Sequence, residues 1–151
     1  MADFWLKNGM DAEHGGIYTC LDRKGRIYST DKSVWMQGRC GWTYAYLCHV
    51  YGVRDEWLAA SKSCIDFLEK YCVNHDAGGR LYFTVTGYGK PLRQRRYCYS
   101  EAFYCIANAE YYGIPRRARE PGTSPFPPIP WPDGCRSWGG CPLTRCIRPW
   151  S

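Results

Sequence analysis

Residues 34–51, VWMQGRCGWTYAYLCHVY, are long enough for a five-turn helix and apolar nearly all round. A helix of that kind cannot lie on a surface with one face in water. It has to be enclosed by other elements, which restricts the chain to folds with a central, surrounded helix. One group breaks the pattern. Trp35 and Arg39 are one helical turn apart, so both project from the same face. A guanidinium on an aromatic helix is costly to bury unless something polar meets it. Two readings follow. Arg39 pairs with a carboxylate elsewhere in the fold, or it forms with Trp35 the floor of a sugar pocket. In the second case the indole meets the ring face, and the fork of N–H donors meets the sugar's oxygens.

The neighbouring segments say what encloses that helix. Residues 55–72, DEWLAASKSCIDFLEKYC, carry Trp57, Leu58, Cys64, Ile65, Leu68 and Cys72 on one stripe and charged residues on the rest. This predicts an amphipathic surface helix with acids in its first turn. Ser100 is placed to cap a third helix, EAFYCIANAEYY, which ends at Gly113 and is again mostly apolar. Two hairpins punctuate the series. GIYTCLDRKGRIYS at 16–29 turns at Asp22-Arg23-Lys24-Gly25, and LYFTVT at 81–86 is followed by Gly87, Gly89 and Pro91. The order of enclosed, surface and enclosed helix is what a toroid of paired helices requires. The expected fold class is an all-α body with short β-hairpins.

The chain has 151 residues, room for one ordinary domain, and a net charge of +6. Residues 1–114 are nearly balanced, with 14 Lys/Arg against 12 Asp/Glu, so the basic excess does not mark a nucleic-acid surface. The cluster Arg93, Arg95 and Arg96 reads as a solvated loop. No apolar run reaches the length of a membrane span, and MADFWLKNGMD lacks the regions of a signal peptide. A cytoplasmic address is the resulting expectation. Cys20, Cys40, Cys48, Cys64, Cys72, Cys98 and Cys105 form no C-x-x-C pair and read as scattered thiols acting as small hydrophobes. Neither they nor His14, His49 and His75 have metal spacing, so no metal or cofactor is expected.

Beyond Gly113 the character changes. Residues 114–151 hold nine of the chain's ten prolines and show neither helical nor strand period. This predicts a disordered Pro/Arg-rich tail, with a composition that resembles GC-rich coding sequence read out of frame. SPFPPIPWP within it also fits a polyproline ligand. The expected domain division is 1–113 for the helical body and 114–151 for the irregular tail.

The strings FWLKNGMD, GGIYTCLDRKGRIYSTDKSVWMQGR, EWLAASKSCIDFLEKYC, LYFTVTGYGKPLRQRRY and SEAFYCIANAEYYG, taken in order, resemble the N-terminal part of the N-acylglucosamine 2-epimerase family. DKSVWMQGR is similar to the acylglucosamine-epimerase branch rather than the cellobiose branch. The resemblance implies part of an (α/α)6 barrel with a central active site, and chemistry at the carbon beside a sugar carbonyl. A base removes the C2 proton, and an acid on the opposite face returns one. A cation near the carbonyl oxygen steadies the enediolate.

Three positions resemble family pocket positions: Arg39, the cavity arginine near the sugar's C1 and C2 oxygens; Trp35, a pocket wall; and Tyr99, an active-site tyrosine in some branches, with ordinary packing as its alternative. Glu101 reads as a first-turn acid rather than a catalytic carboxylate. The family's acid–base histidines lie past the region of resemblance, and neither His14, His49 nor His75 matches them. The implied partner is a small sugar. The expectation is a truncated epimerase-like chain without its acid–base pair. The alternative is a non-catalytic carbohydrate-binding or dimerisation remnant using Trp35, Trp42 and Tyr46. An incomplete ring would expose apolar surface and favour self-association, including a homodimer.

Overall fold

A computed structural model describes residues 2–95 and 98–114. The apolar run forms helix α2, Val34–Tyr51, over the predicted span. It follows a two-turn helix, α1 (Ala2–Asn8), and three short strands, β1 (Cys20–Leu21), β2 (Ile27–Ser29) and β3 (Lys32–Ser33). Next comes α3, Asp55–Phe67, which continues without a break into a π-helical turn over Leu68–Cys72. Strand β4 (Val73–Asn74), a 3₁₀ turn (His75–Ala77), β5 (Arg80–Leu81), β6 (Thr84–Val85) and β7 (Pro91–Arg93) lead to α4, Tyr99–Gly113. The body is mostly helical with small two- and three-stranded sheets. Ile114, expected in the irregular tail, is buried at the end of α4, and the disorder and polyproline ligand expected for the rest of the tail fall on residues 115–151, outside the described residues.

On α3 packing follows the predicted polarity, whereas α2, expected to be enclosed, leaves Tyr46, Val50 and Tyr51 exposed because its neighbours among the described residues cover only part of its circumference. Trp57, Leu58, Cys64, Ile65, Leu68 and Cys72 are all buried, while Asp66, Glu69 and Lys70 face solvent. Fully burying side chains such as Phe67 and Leu68 contributes about 1.5–3 kcal/mol each. α3 runs antiparallel to α2. Its start meets the end of α2, where the Cys48 thiol faces the Arg54 carbonyl, and Ser61 further on donates to the Gly41 carbonyl at 2.7 Å. α4 instead runs parallel to α2. Contacts climb both helices together, from Gly38 beside Phe103, through Gly41 beside Ala107, to His49 paired with Glu110 at 3.0 Å. The Tyr44 hydroxyl donates to the Ala2 carbonyl at 2.9 Å and ties α1 to α2.

Gly38 makes the α2–α4 contact possible. A Cβ there would lie 2.7 Å from the Phe103 carbonyl carbon, so the two backbones approach more closely than any other residue allows. In the first hairpin the predicted turn glycine, Gly25, has φ +83° and closes β1 onto β2.

Three local expectations are corrected. LYFTVT is not one strand: Arg80–Leu81 pairs back with Val73–Asn74, whereas Thr84–Val85 lies between β3 and β7. The chain changes partners at Tyr82 and Phe83, which local alternation cannot reveal. Ser100 is not the cap of α4. The helix begins at Tyr99 with Cys98 at the capping position, and Ser100 is buried inside the first turn. Cys98 is exposed, so it is not a core thiol, whereas Cys48, Cys64 and Cys72 are buried.

Candidate sugar-facing wall

Helix α2 starts where it does because two polar residues around its first turn are fully buried and hydrogen-bonded to distant parts of the chain. Lys32, on β3, donates through Nζ to the Asp11 carboxylate at 2.6 Å, the Gly15 carbonyl at 2.7 Å and the Gly87 carbonyl at 3.0 Å. An ammonium has three donors, and all three are met. The Lys32 Nζ also lies 4.2 Å from the centre of the Phe67 ring. Burial acts to raise the Asp11 pKa, but the Lys32 hydrogen bond and the backbone N–H groups of His14 and Glu13 outweigh it and hold the carboxyl below its ordinary value. One turn into α2, Gln37 grips the Ile17 peptide from both sides, accepting its N–H at 2.8 Å and donating to its carbonyl at 2.6 Å. The Val34 N–H donates to the Phe83 carbonyl at 3.0 Å. Sequence reading missed Asp11, Lys32 and Gln37: the partners of Lys32 and Gln37, and the Lys32 ammonium that Asp11 meets, are distant in the chain.

On the opposite side of this anchored turn stand the residues expected at a sugar pocket. Trp35 packs against Phe103 of α4 with ring centroids 5.7 Å apart. Arg39 is exposed, and its guanidinium lies 5.6 Å from the Trp35 ring and 5.8 Å from the Phe103 ring. Among the described residues no carboxylate is within ion-pair distance of Arg39. Tyr99, 63% exposed, stands one turn before Phe103 on α4 and so shares its stripe. Further along α2, Trp42 and Tyr46 stack at 5.2 Å with their planes 19° apart. The structure therefore brings Trp35, Arg39 and Phe103 together. Phe103 was not expected; only its place one turn after Tyr99 signals it.

The remaining titratable groups lie elsewhere. His49 pairs with Glu110 near the far end of α2, His14 lies near Asp11 and Glu13, and His75 is in the 3₁₀ turn. Glu101 accepts from Arg80 at 2.6 Å and from the Leu81 N–H at 3.1 Å through Oε1, fastening the start of α4 to β5. Its Oε2 is buried without a hydrogen-bond partner among the described residues. A groove of about 470 Å³ runs along the outer side of α3 beside Lys62, Asp66, Lys70 and Tyr71, and none of Trp35, Arg39 or Tyr99 lines it. Burial pushes the Cys72 thiol and the Tyr104 phenol up to about 12, which keeps both neutral. Among the described residues no helix is long and apolar enough to cross a membrane, and no group of three His, Cys, Asp or Glu could hold a metal.

Residues 16–122 match the N-acylglucosamine 2-epimerase (GlcNAc 2-epimerase) family. The human N-acylglucosamine 2-epimerase is 37% identical over 114 residues, covering 72% of this chain and 26% of that protein. A cellobiose 2-epimerase of Ruminococcus albus is 32% identical over 110 residues, covering 72% and 28%. Among solved structures, a sugar epimerase from a ruminal bacterium superposes with a TM-score of 0.66 at 29% identity, over 74% of this chain and 28% of that one. The chain thus spans about a quarter of the length of the relatives it matches.

Proposed function

Because the chain belongs to the N-acylglucosamine 2-epimerase family, we propose that its described residues are the first arc of an (α/α)6 barrel and carry one wall of a sugar 2-epimerase site. α2 and α4 are the inner helices of this arc and α3 is an outer one. The observation that carries the reading is Arg39: a cation held over two aromatic rings, exposed, with no carboxylate beside it among the described residues.

Chemically, the wall does part of the job. Epimerisation at C2 passes through an enediolate, whose charge develops on the oxygens at C1 and C2. The Arg39 fork donates to those oxygens and favours the open-chain aldehyde over the closed ring. Trp35 and Tyr99 offer flat apolar surface to the C–H face of the sugar and fix its height above the guanidinium. Proton removal and return need a base and an acid on opposite faces of C2. His14, His49 and His75 do not supply them, so residues 2–114 bind and orient sugar without turning it over. N-acetylmannosamine and N-acetylglucosamine are the substrates this reading favours.

Titrating tryptophan fluorescence with N-acetylmannosamine tests the wall. A saturable response that Arg39→Ala abolishes is expected; a flat titration in the wild-type chain overturns the assignment. Turnover is to be followed in the same samples. Epimerisation that Arg39→Ala removes would show that the chain does contain an acid–base pair.

A further inference from the structure

We propose that Cys40 of α2 and Cys64 of α3 form an oxidisable dithiol, which a peroxide closes into a disulfide bridging the two helices. The inference concerns thiol chemistry and does not rest on the sugar wall.

The contact between the two thiols is built by the way α3 meets α2. The antiparallel helices lie close together at this height. Ser61 donates to the Gly41 carbonyl at 2.7 Å, and a Cβ on Gly41, the residue after Cys40, would lie 3.5 Å from the Cys64 Cβ. Across this contact the Cys64 S–H donates to the Cys40 sulfur. Closing the bridge shortens that contact to the covalent length of about 2 Å. Other thiols nearby in sequence have different neighbours: Cys48 faces the Arg54 carbonyl, and Cys20 lies against the Thr19 hydroxyl.

Exposure assigns the order of reaction. Cys64 is fully buried, whereas Cys40 is partly open to solvent. The hydrogen bond to Cys40, and then burial, push the Cys64 thiol well above its ordinary value, so Cys64 stays protonated and does not react first with a dissolved oxidant. Cys40 is the sulfur a peroxide reaches. As a thiolate it attacks one peroxide oxygen; the O–O bond breaks, and the departing oxygen takes up a proton and leaves as water. Cys40 is then a sulfenic acid. The Cys64 sulfur attacks the Cys40 sulfur, the S–S bond forms and the S–O bond breaks. The hydroxide that leaves takes the Cys64 proton and becomes a second water. The two sulfurs together give up two electrons, and one peroxide is reduced to two waters. Because the resolving thiol is already in contact, the sulfenic acid is consumed before a second peroxide carries it to the sulfinic acid. A dithiol reductant reopens the bridge by exchange.

The test treats the full chain with equimolar hydrogen peroxide, alkylates the remaining thiols and cuts with trypsin. Cleavage after Arg39, Arg54, Lys62 and Lys70 puts the two cysteines on separate peptides, 40–54 and 63–70. The expected result by mass spectrometry is one disulfide-linked species of these two peptides, which dithiothreitol returns to two alkylatable thiols. Cys48 shares the first peptide, so Cys48→Ser is run alongside and should keep the link. Cys40→Ser should abolish it and leave Cys64 as a thiol at the peroxide dose that converts most of the wild type. In concentrated urea the wild-type link should lose its preference over other cysteine pairings; this comparison needs no substitution and stands even where a variant fails to fold. Conversion of Cys40 to the sulfinic acid without a link overturns the proposal. So does a link that survives Cys40→Ser, or one no more frequent in the native chain than in urea.

Discussion

Lys32 and Arg39 are two cations seven residues apart on one continuous strand–helix segment, and the fold treats them in opposite ways. Lys32 is fully buried, with three oxygen acceptors for three donors. Arg39 has five donors, two aromatic rings and, among the described residues, no carboxylate. A saturated buried cation has nothing left to offer a ligand, so its role is to hold Asp11, Gly15 and Gly87 together. An unsaturated exposed one is held in place by packing and keeps its donors. On the function proposed above, the contrast separates scaffold from site within a single segment.

The largest effect expected from breaking this contrast is on the scaffold side. Asp11→Ala leaves the Lys32 ammonium buried with one donor unmet and should cost about 3–5 kcal/mol, read from urea unfolding. An unchanged midpoint would show that Asp11 is dispensable. Acid tests the same pair without mutation. The Asp11 pKa is lowered on folding, so its contribution is complete above the unfolded value of 3.8 and is lost as pH falls through the lower, folded value. Stability of wild type should therefore fall more steeply below pH 4 than that of Asp11→Asn.

Gly38→Ala acts between the two cations. It drives a methyl into the Phe103 backbone, and about 1–3 kcal/mol of stability should be lost together with the saturable sugar response. A variant that keeps both would mean that α4 retreats without cost. The smallest effect belongs to Arg39→Ala, which should change unfolding stability by no more than about 0.5 kcal/mol while removing the sugar response. A large destabilisation would move Arg39 to the scaffold side.

Much of the helical frame was legible in the sequence because its signals are local. The all-round apolar run fixed α2 at Val34–Tyr51, and the stripe from Trp57 to Cys72 is buried as its spacing implied. Arg39 and Trp35 stand out because a guanidinium among aromatics is conspicuous, and the structure does place them side by side. Lys32 was not, because a lone lysine beside an aspartate ordinarily means a solvated turn. Its burial depends on acceptors from residues 11, 15 and 87, brought together only by the fold. The division of LYFTVT between two sheets was hidden for the same reason. Each half answers to a partner distant in sequence, Val73–Asn74 for one and Lys32–Ser33 for the other.

The Lys32 cluster also sets an order of events during synthesis. Gly87 leaves the ribosome 55 residues after Lys32, and until then the third acceptor does not exist. Hydrogen bonding to Asp11 and Gly15 can begin earlier, but the ammonium cannot be sealed from water before the β6–β7 turn has been made. The start of α2, with Trp35 and Arg39 on it, is therefore fixed only after residue 87 has been made, when α1, α2 and α3 have already been synthesised.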